Sequence, residues 1–168
     1  MPLPAMMLAF TGERGIAVSE AIAALERAAA SDHTSPSGTV FFAVNDDVRS
    51  TCRHWQYEGA AAALRDRYGV RAVVSTNPPS SADFPLIGFM TGSRTVATDK
   101  LKLAPGAFAD NLTSYGAAFH QTAHTKATTW LKDGRPPTIA TASPSSRRSA
   151  ATRVRAASSG KATAMSRR

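Results

Sequence analysis

The chain has one cysteine, no apolar run near the length of a membrane span, and no acidic residue after Asp133. A lone Cys52 excludes an intrachain disulfide framework and any cysteine-rich zinc site. Without about 20 consecutive apolar residues there is no candidate transmembrane helix. Residues Met1 to Phe10 carry no basic stretch ahead of their short apolar run, so no export signal is expected in the chain as written. No sequence repeat is evident, and no metal or cofactor motif stands out.

The missing carboxylates reveal how charge is distributed. Residues 1–134 hold 12 Lys+Arg against 12 Asp+Glu, whereas Arg135, Arg147, Arg148, Arg153, Arg155, Lys161, Arg167 and Arg168 supply the whole net charge of +8. The pI near 10.4 therefore describes a tail rather than a domain. From Arg135 to Arg168 the chain is almost entirely Ala, Arg, Ser, Pro, Thr and Gly, with no aromatic residue and no Leu. Such a composition offers too little apolar surface to offset roughly 1 to 2 kcal/mol of backbone entropy per ordered residue. Residues 135–168 are thus expected to be disordered, and residues 1–134 to form one domain. Three origins compete for the tail: a solvated basic end, an arm that binds nucleic acid or anionic lipid, and out-of-frame translation of a GC-rich gene. The abrupt change of composition at Gly134 favours the last. Nucleic acid is an expected partner only if the tail is genuine, and arginines without interleaved aromatics attract phosphate but do not stack on bases.

Within residues 1–134, short apolar runs alternate with helical patterns. Met6–Phe10 reads as a strand or lead-in, and Thr11–Gly15 as a loop. Ser19 can cap a helix on which Val18, Ile22, Leu25 and Ala29 share one face. Thr39–Val44 is continuous, β-branched and aromatic, as expected of a strand buried on both faces. A helix with Tyr57, Ala61, Leu64 and Tyr68 aligned should follow and end at Gly69. Val70–Val74 and Pro85–Met90 are the next strands, and Ala123, Ala127, Trp130 and Leu131 mark a last helix. This order predicts an α/β fold, three-layered, with a mostly parallel sheet flanked by helices. Ligands in such folds lie beyond the carboxyl ends of the strands, which singles out Thr11–Gly15, Asn45–Ser50, Thr91–Ser93 and Pro105–Gly116 as loops.

The densest polar group is Asn45-Asp46-Asp47-Val48-Arg49-Ser50-Thr51. Asp46 and Asp47 can hold a hard cation or serve as acid and base, and Arg49 can clamp an anion. Equally, one carboxylate can cap the helix and pair with Arg49. Cys52 and His54 are two residues apart on a helix and face different ways, so they form no dyad, and Cys52 is expected to be a small buried thiol. A thiol dyad would need His33, His120 or His124 folded against Cys52. His120 and His124 have the i, i+4 spacing of a zinc pair but lack a third ligand. Gly12-Glu13-Arg14-Gly15 has neither the dinucleotide spacing nor the Gly-Lys-Ser/Thr ending and is expected to be a structural turn. Lys102 to Gly116 brings Asp110, Asn111, Thr113 and Ser114 beside glycines, which suits either a substrate cradle or a tightly capped turn.

Met7–Gly15, Gly38–Phe42, Asn45–Ser50 with Arg53-His54-Trp55, and Pro105–Gly116 together resemble an uncharacterised bacterial family found in genomes with the exosortase protein-sorting system. The resemblance spans roughly residues 7–134 and rests most on the Asp46-Asp47-Val48-Arg49-Ser50 and Asp110-Asn111-Leu112-Thr113-Ser114 blocks. It implies longer, exported relatives that continue with a Gly/Thr-rich strand and a Glu-Pro motif, where this chain has its basic tail from Arg135. More distantly, the order of elements is similar to caspase-like domains of the gingipain type. Ala109 or Asp110 stands where that alignment would put the catalytic cysteine, so the likeness is one of fold alone.

These features lead to an expected truncated family member with a non-catalytic or accessory role in envelope protein sorting. The alternatives are a peptidase-like hydrolase with a site over loops 45–50 and 105–116, and nucleic-acid binding through the tail. The candidate pocket is Asp46, Asp47, Arg49, His54, Asp110, Asn111, Thr113 and Ser114, with no metal and no cofactor expected. A sheet cut before its last strands should also expose an aggregating edge.

Overall fold

The computed structural model describes residues 10–13, 15–35, 37–77, 79, 84–131 and 140–141. Five strands form one wholly parallel sheet: β1 Thr39–Ala43, β2 Arg71–Ser75, β3 Leu86–Thr91, β4 Leu103–Asn111 and β5 Ala140–Thr141, in the order β2-β1-β3-β4-β5. Helices α1 Val18–Ser31, α2 Val48–Thr51 and α3 Tyr57–Tyr68 complete the fold, which is α/β as expected. Among the described residues, no helix is long and apolar enough to cross a membrane.

Strand β1 is buried at four consecutive positions because both its faces are covered. Val40 and Phe42 meet Tyr57 and Ala61 of α3 on one face, with Ala72 of β2 completing that cluster. Phe41 on the other face joins Leu86, Phe89, Ala109 and Trp130, with Val96 and Leu101 packed against them. Trp130 comes from a 3₁₀ turn, Ala127–Leu131, and its ring lies 5.9 Å from that of Phe89. Helix α3 ends as its sequence suggests, with Gly69 at φ +64° and its N–H donating to Leu64 and Arg65 carbonyls.

Several local expectations differ from the structure. Pro105–Gly116 is not wholly a loop, since Pro105 to Asn111 belong to the nine-residue strand β4. Pro105 and Gly106 at its start fall where the β3–β4 register is irregular, which hides the strand from pattern reading. The last helix is only the 3₁₀ turn, preceded by loop, so His120 and His124 share no helical face. The helix expected after Asp47 is interrupted at Arg53, whose φ of −138° leaves the helical region. Ser19 does not cap α1: the cap position is Ala17, whose N–H donates to the Glu20 carboxylate at 2.8 Å. Val18, Ile22 and Leu25 face outward, 62%, 51% and 49% exposed, while Ala24 is the buried contact. Cys52 is exposed rather than buried. Gly12–Gly15 is a structural turn, closed by Gly15 N–H to the Gly12 carbonyl at 2.8 Å. The sheet reaches past Gly134, as Ala109 and Asp110 pair with Ala140 and Thr141. Met6–Ala9 and the rest of the basic segment lie outside the described residues.

Candidate functional site

From β1 the chain crosses through α3 to β2 on one side, and from β3 it continues to β4 on the other. The covering segments also lie on opposite faces, α3 on the Phe42 face and residues 96–101 on the Phe89 face. The carboxyl ends of β1 and β3 are therefore the topological switch point, where open α/β sheets leave a crevice.

Two segments meet at this crevice in close backbone contact. A methyl group on Gly92 would stand 2.5 Å from the Arg49 carbonyl carbon and 2.7 Å from Ser50 Cα, so only glycine fits between them. Ser50 is fully buried, and its Oγ accepts from the Asn45 N–H at 3.1 Å. Asn45 then ties the two segments: its Oδ1 accepts from the Asp47 N–H at 2.9 Å, which orients the amide so that Nδ2 donates to Ser93 Oγ at 2.8 Å. Thr91 Oγ1 accepts from the Ser93 N–H and donates to Ser93 Oγ, both at 3.1 Å.

Charge is arranged around this frame. Asp47 caps α2 by accepting from the Arg49 N–H at 3.0 Å, and its carboxylate pairs with Arg49 at 2.7 Å and Arg94 at 3.3 Å. The Arg49 backbone N–H, aided by its guanidinium, holds the Asp47 carboxyl below its usual range against the opposing effect of burial. Arg49 reaches on to Ser114, donating from Nε at 3.1 Å and Nη2 at 2.8 Å. Arg53 donates at 2.6 Å to the Asp110 carboxylate and at 2.6 Å to the Thr91 carbonyl, joining the chain before α3 to the ends of β3 and β4. The loops after β1, β3 and β4 thus converge.

Behind them, residues 113–126 are docked by Thr125, whose N–H donates to the Arg94 carbonyl and whose Oγ1 accepts from the Val96 N–H. Buried Lys126 donates to the Tyr115 and Ala123 carbonyls at 2.8 and 2.6 Å. That docking brings His124 Nδ1 into a hydrogen bond with Thr113 Oγ1, and the imidazole meets the Tyr115 ring edge-on at 5.0 Å. Burial, with Arg49, Arg94 and Lys126 adding repulsion, pushes the His124 pKa down and keeps the ring neutral. His124 also holds a left-handed backbone, φ +66°, uncommon for a side-chain-bearing residue.

Of the residues expected at the site, Asp47, Arg49, Asp110 and Ser114 join the network. Thr113 is beside it and is 2% exposed. Asn111 is buried at the end of β4, and its side-chain amide has no hydrogen-bond partner among the described residues. Asp46 is exposed and His54 sits in the 3₁₀ turn His54–Gln56; neither makes a side-chain hydrogen bond or ion pair with the described residues. Among the described residues no three His, Cys, Asp or Glu side chains gather as metal ligands. Asn45, Thr91 and Ser93 lie in loops that the sequence singles out but not among its candidate pocket residues, Arg53 and Arg94 carry no site expectation, and His124 is expected only as a zinc ligand or a partner for Cys52, not as the partner of Thr113.

Next to the network, on the Phe89 face, lies a cavity of about 540 Å³. Ala43, Phe89, Val96 and Leu101 form apolar wall, and Thr91 and Ser93 are shared with the polar network. No protein-family model, curated protein or solved structure matches the chain.

Proposed function

We propose that the chain is a non-catalytic ligand-binding domain, an accessory member of the exosortase-associated family its motifs resemble, which holds its ligand at the β1–β3 crevice. The observation that carries this reading is the cavity at the switch point, of a size suited to a small molecule and bordered at Thr91 and Ser93 by a polar network. The charges of that network are engaged with one another: Asp47 with Arg49 and Arg94, and Arg53 with Asp110. Such an arrangement makes a rigid frame for binding rather than an acid and a base poised on a reacting bond.

A hydrolase is the second reading, favoured by the hydrogen bond between Thr113 and a neutral His124. It needs a nucleophile that substrate can touch, and Thr113 is buried.

Two assays on the full chain separate them. Thermal unfolding against a small-molecule panel should reveal stabilising compounds, since a ligand at a hundred times its Kd stabilises by about 2.7 kcal/mol. A panel without any stabilising compound would sink the binding reading. Activated esters and fluorogenic peptides should show no turnover above buffer. Turnover that disappears in both Thr113→Ala and His124→Ala would put the hydrolase in its place.

A further inference from the structure

The cavity carries information about what it binds, and the inference rests on the ligand-binding reading above. Ser93 Oγ accepts two hydrogen bonds, from Asn45 Nδ2 and from the Thr91 hydroxyl. The two hydroxyls can exchange donor and acceptor roles, and with Thr91 donating, the Ser93 proton is left for a ligand. Ser93 lines the cavity. Lys100 lines it too, and its ammonium forms no ion pair with a described residue. Phe89, Val96 and Leu101 supply apolar wall.

A donor hydroxyl and, among the described residues, a single lining cation ask for an anion, and the wall asks for an apolar body. We propose that the β1–β3 cavity binds an aliphatic or aromatic monocarboxylate, with its acid group on Ser93 Oγ and Lys100 Nζ and its hydrocarbon part against Phe89, Val96 and Leu101. One ammonium matches one carboxylate charge, and an alkyl phosphate would bring a second charge with no partner. Lysine suits this role because it acts as a flexible point charge at a cavity mouth, whereas a paired guanidinium such as Arg49 is already committed. Specificity then comes from the polar end and affinity from the buried hydrocarbon.

The test is a titration of the full chain followed by tryptophan fluorescence. Trp130 touches Phe89 and so reports on the cavity, and a Trp55→Phe background removes the exposed indole. Hexanoate, decanoate and 4-phenylbutyrate are compared with decanol, decanamide and decyl phosphate. Decanoate should bind with saturation, at least tenfold more tightly than decanol or decanamide and more tightly than decyl phosphate. Lys100→Gln should weaken decanoate binding roughly ten- to a hundredfold and Ser93→Ala severalfold, both leaving decanol unchanged. Circular dichroism melting checks that the variants fold. Equal binding of decanol and decanoate, or decanoate binding unaffected by Lys100→Gln, would overturn the anion inference while leaving the cavity a binding site. Tighter binding of decyl phosphate would overturn the choice of carboxylate. No binding by any of these compounds, charged or neutral, would remove the ligand-binding reading itself.

Discussion

Replacing Gly92 by alanine probes the seam on which the site is built. The added carbon would lie 2.5 and 2.7 Å from backbone atoms of Arg49 and Ser50, where ordinary carbon contacts are about 3.5 to 4.0 Å. Relief requires one strand end to move by about 1 Å. Neither side yields easily. Ser50 N–H is bonded to the Asp47 carbonyl at 2.8 Å, and the Thr91 carbonyl is held by the Leu112 N–H and by Arg53. Overpacking a well-filled interior costs about 1 to 3 kcal/mol, and backbone against backbone belongs at the upper end, so about 3 kcal/mol is expected. For a fold of this size that lowers Tm by roughly 10 to 15 °C. Urea unfolding by circular dichroism measures it, provided the transition is two-state. Gly59→Ala is the control, because a methyl there, in the first turn of α3, meets nothing within 4 Å. It should stabilise by about 0.5 to 1 kcal/mol. A Gly92→Ala protein within about 0.5 kcal/mol of the parent would refute the close approach of the two loops.

Three further outcomes are expected. Arg53→Met removes the Arg53 partner of the Asp110 carboxylate at a mostly buried site and should cost about 2 kcal/mol in urea unfolding, whereas Arg53→Met with Asp110→Leu should cost less than the sum of the two single changes; strict additivity would show that the pair is uncoupled. His124 has a folded-state pKa below its unfolded value, so the unfolded chain binds more protons and stability should fall as pH drops from about 7 through 6.5 and below. That part of the pH dependence should vanish in His124→Asn, and an unchanged profile would contradict a neutral, partly buried imidazole. Trp130→Ala, at a position 1% exposed against Phe89, should destabilise by about 3 to 5 kcal/mol; a loss under 1 kcal/mol would mean that the turn does not cover that face.

Strands with strong local signals were legible in the sequence. Thr39–Ala43 and Leu86–Thr91 are apolar runs bounded by breakers, and each appears within a residue or so of its expected span. Gly69 marks the end of α3 because the left-handed turn needs a residue without Cβ. The failures lie where tertiary contact overrules local pattern. Strand β4 contains Pro105 and Gly106, which read as a turn, yet pairing with β3 extends through them to Asn111. Val18, Ile22 and Leu25 align on a helix in the sequence, and periodicity alone does not say which face meets the sheet. At the site, Asp47 pairing with Arg49 is a local motif and was foreseeable. Arg53 meeting Asp110, 57 residues later, and Thr113 meeting His124 depend on how the sheet orders its strand ends, which no spacing encodes.

The central claim is that the carboxyl ends of β1 and β3 form the binding site. An amide-resolved NMR titration of the full chain with decanoate tests it most directly. The account predicts shifts that saturate together at Ala43, Ser93, Thr95, Val96 and Leu101, which line the cavity. Shifts confined to the outward face of α1 at Val18, Ile22 and Leu25, with the strand ends silent, would contradict it.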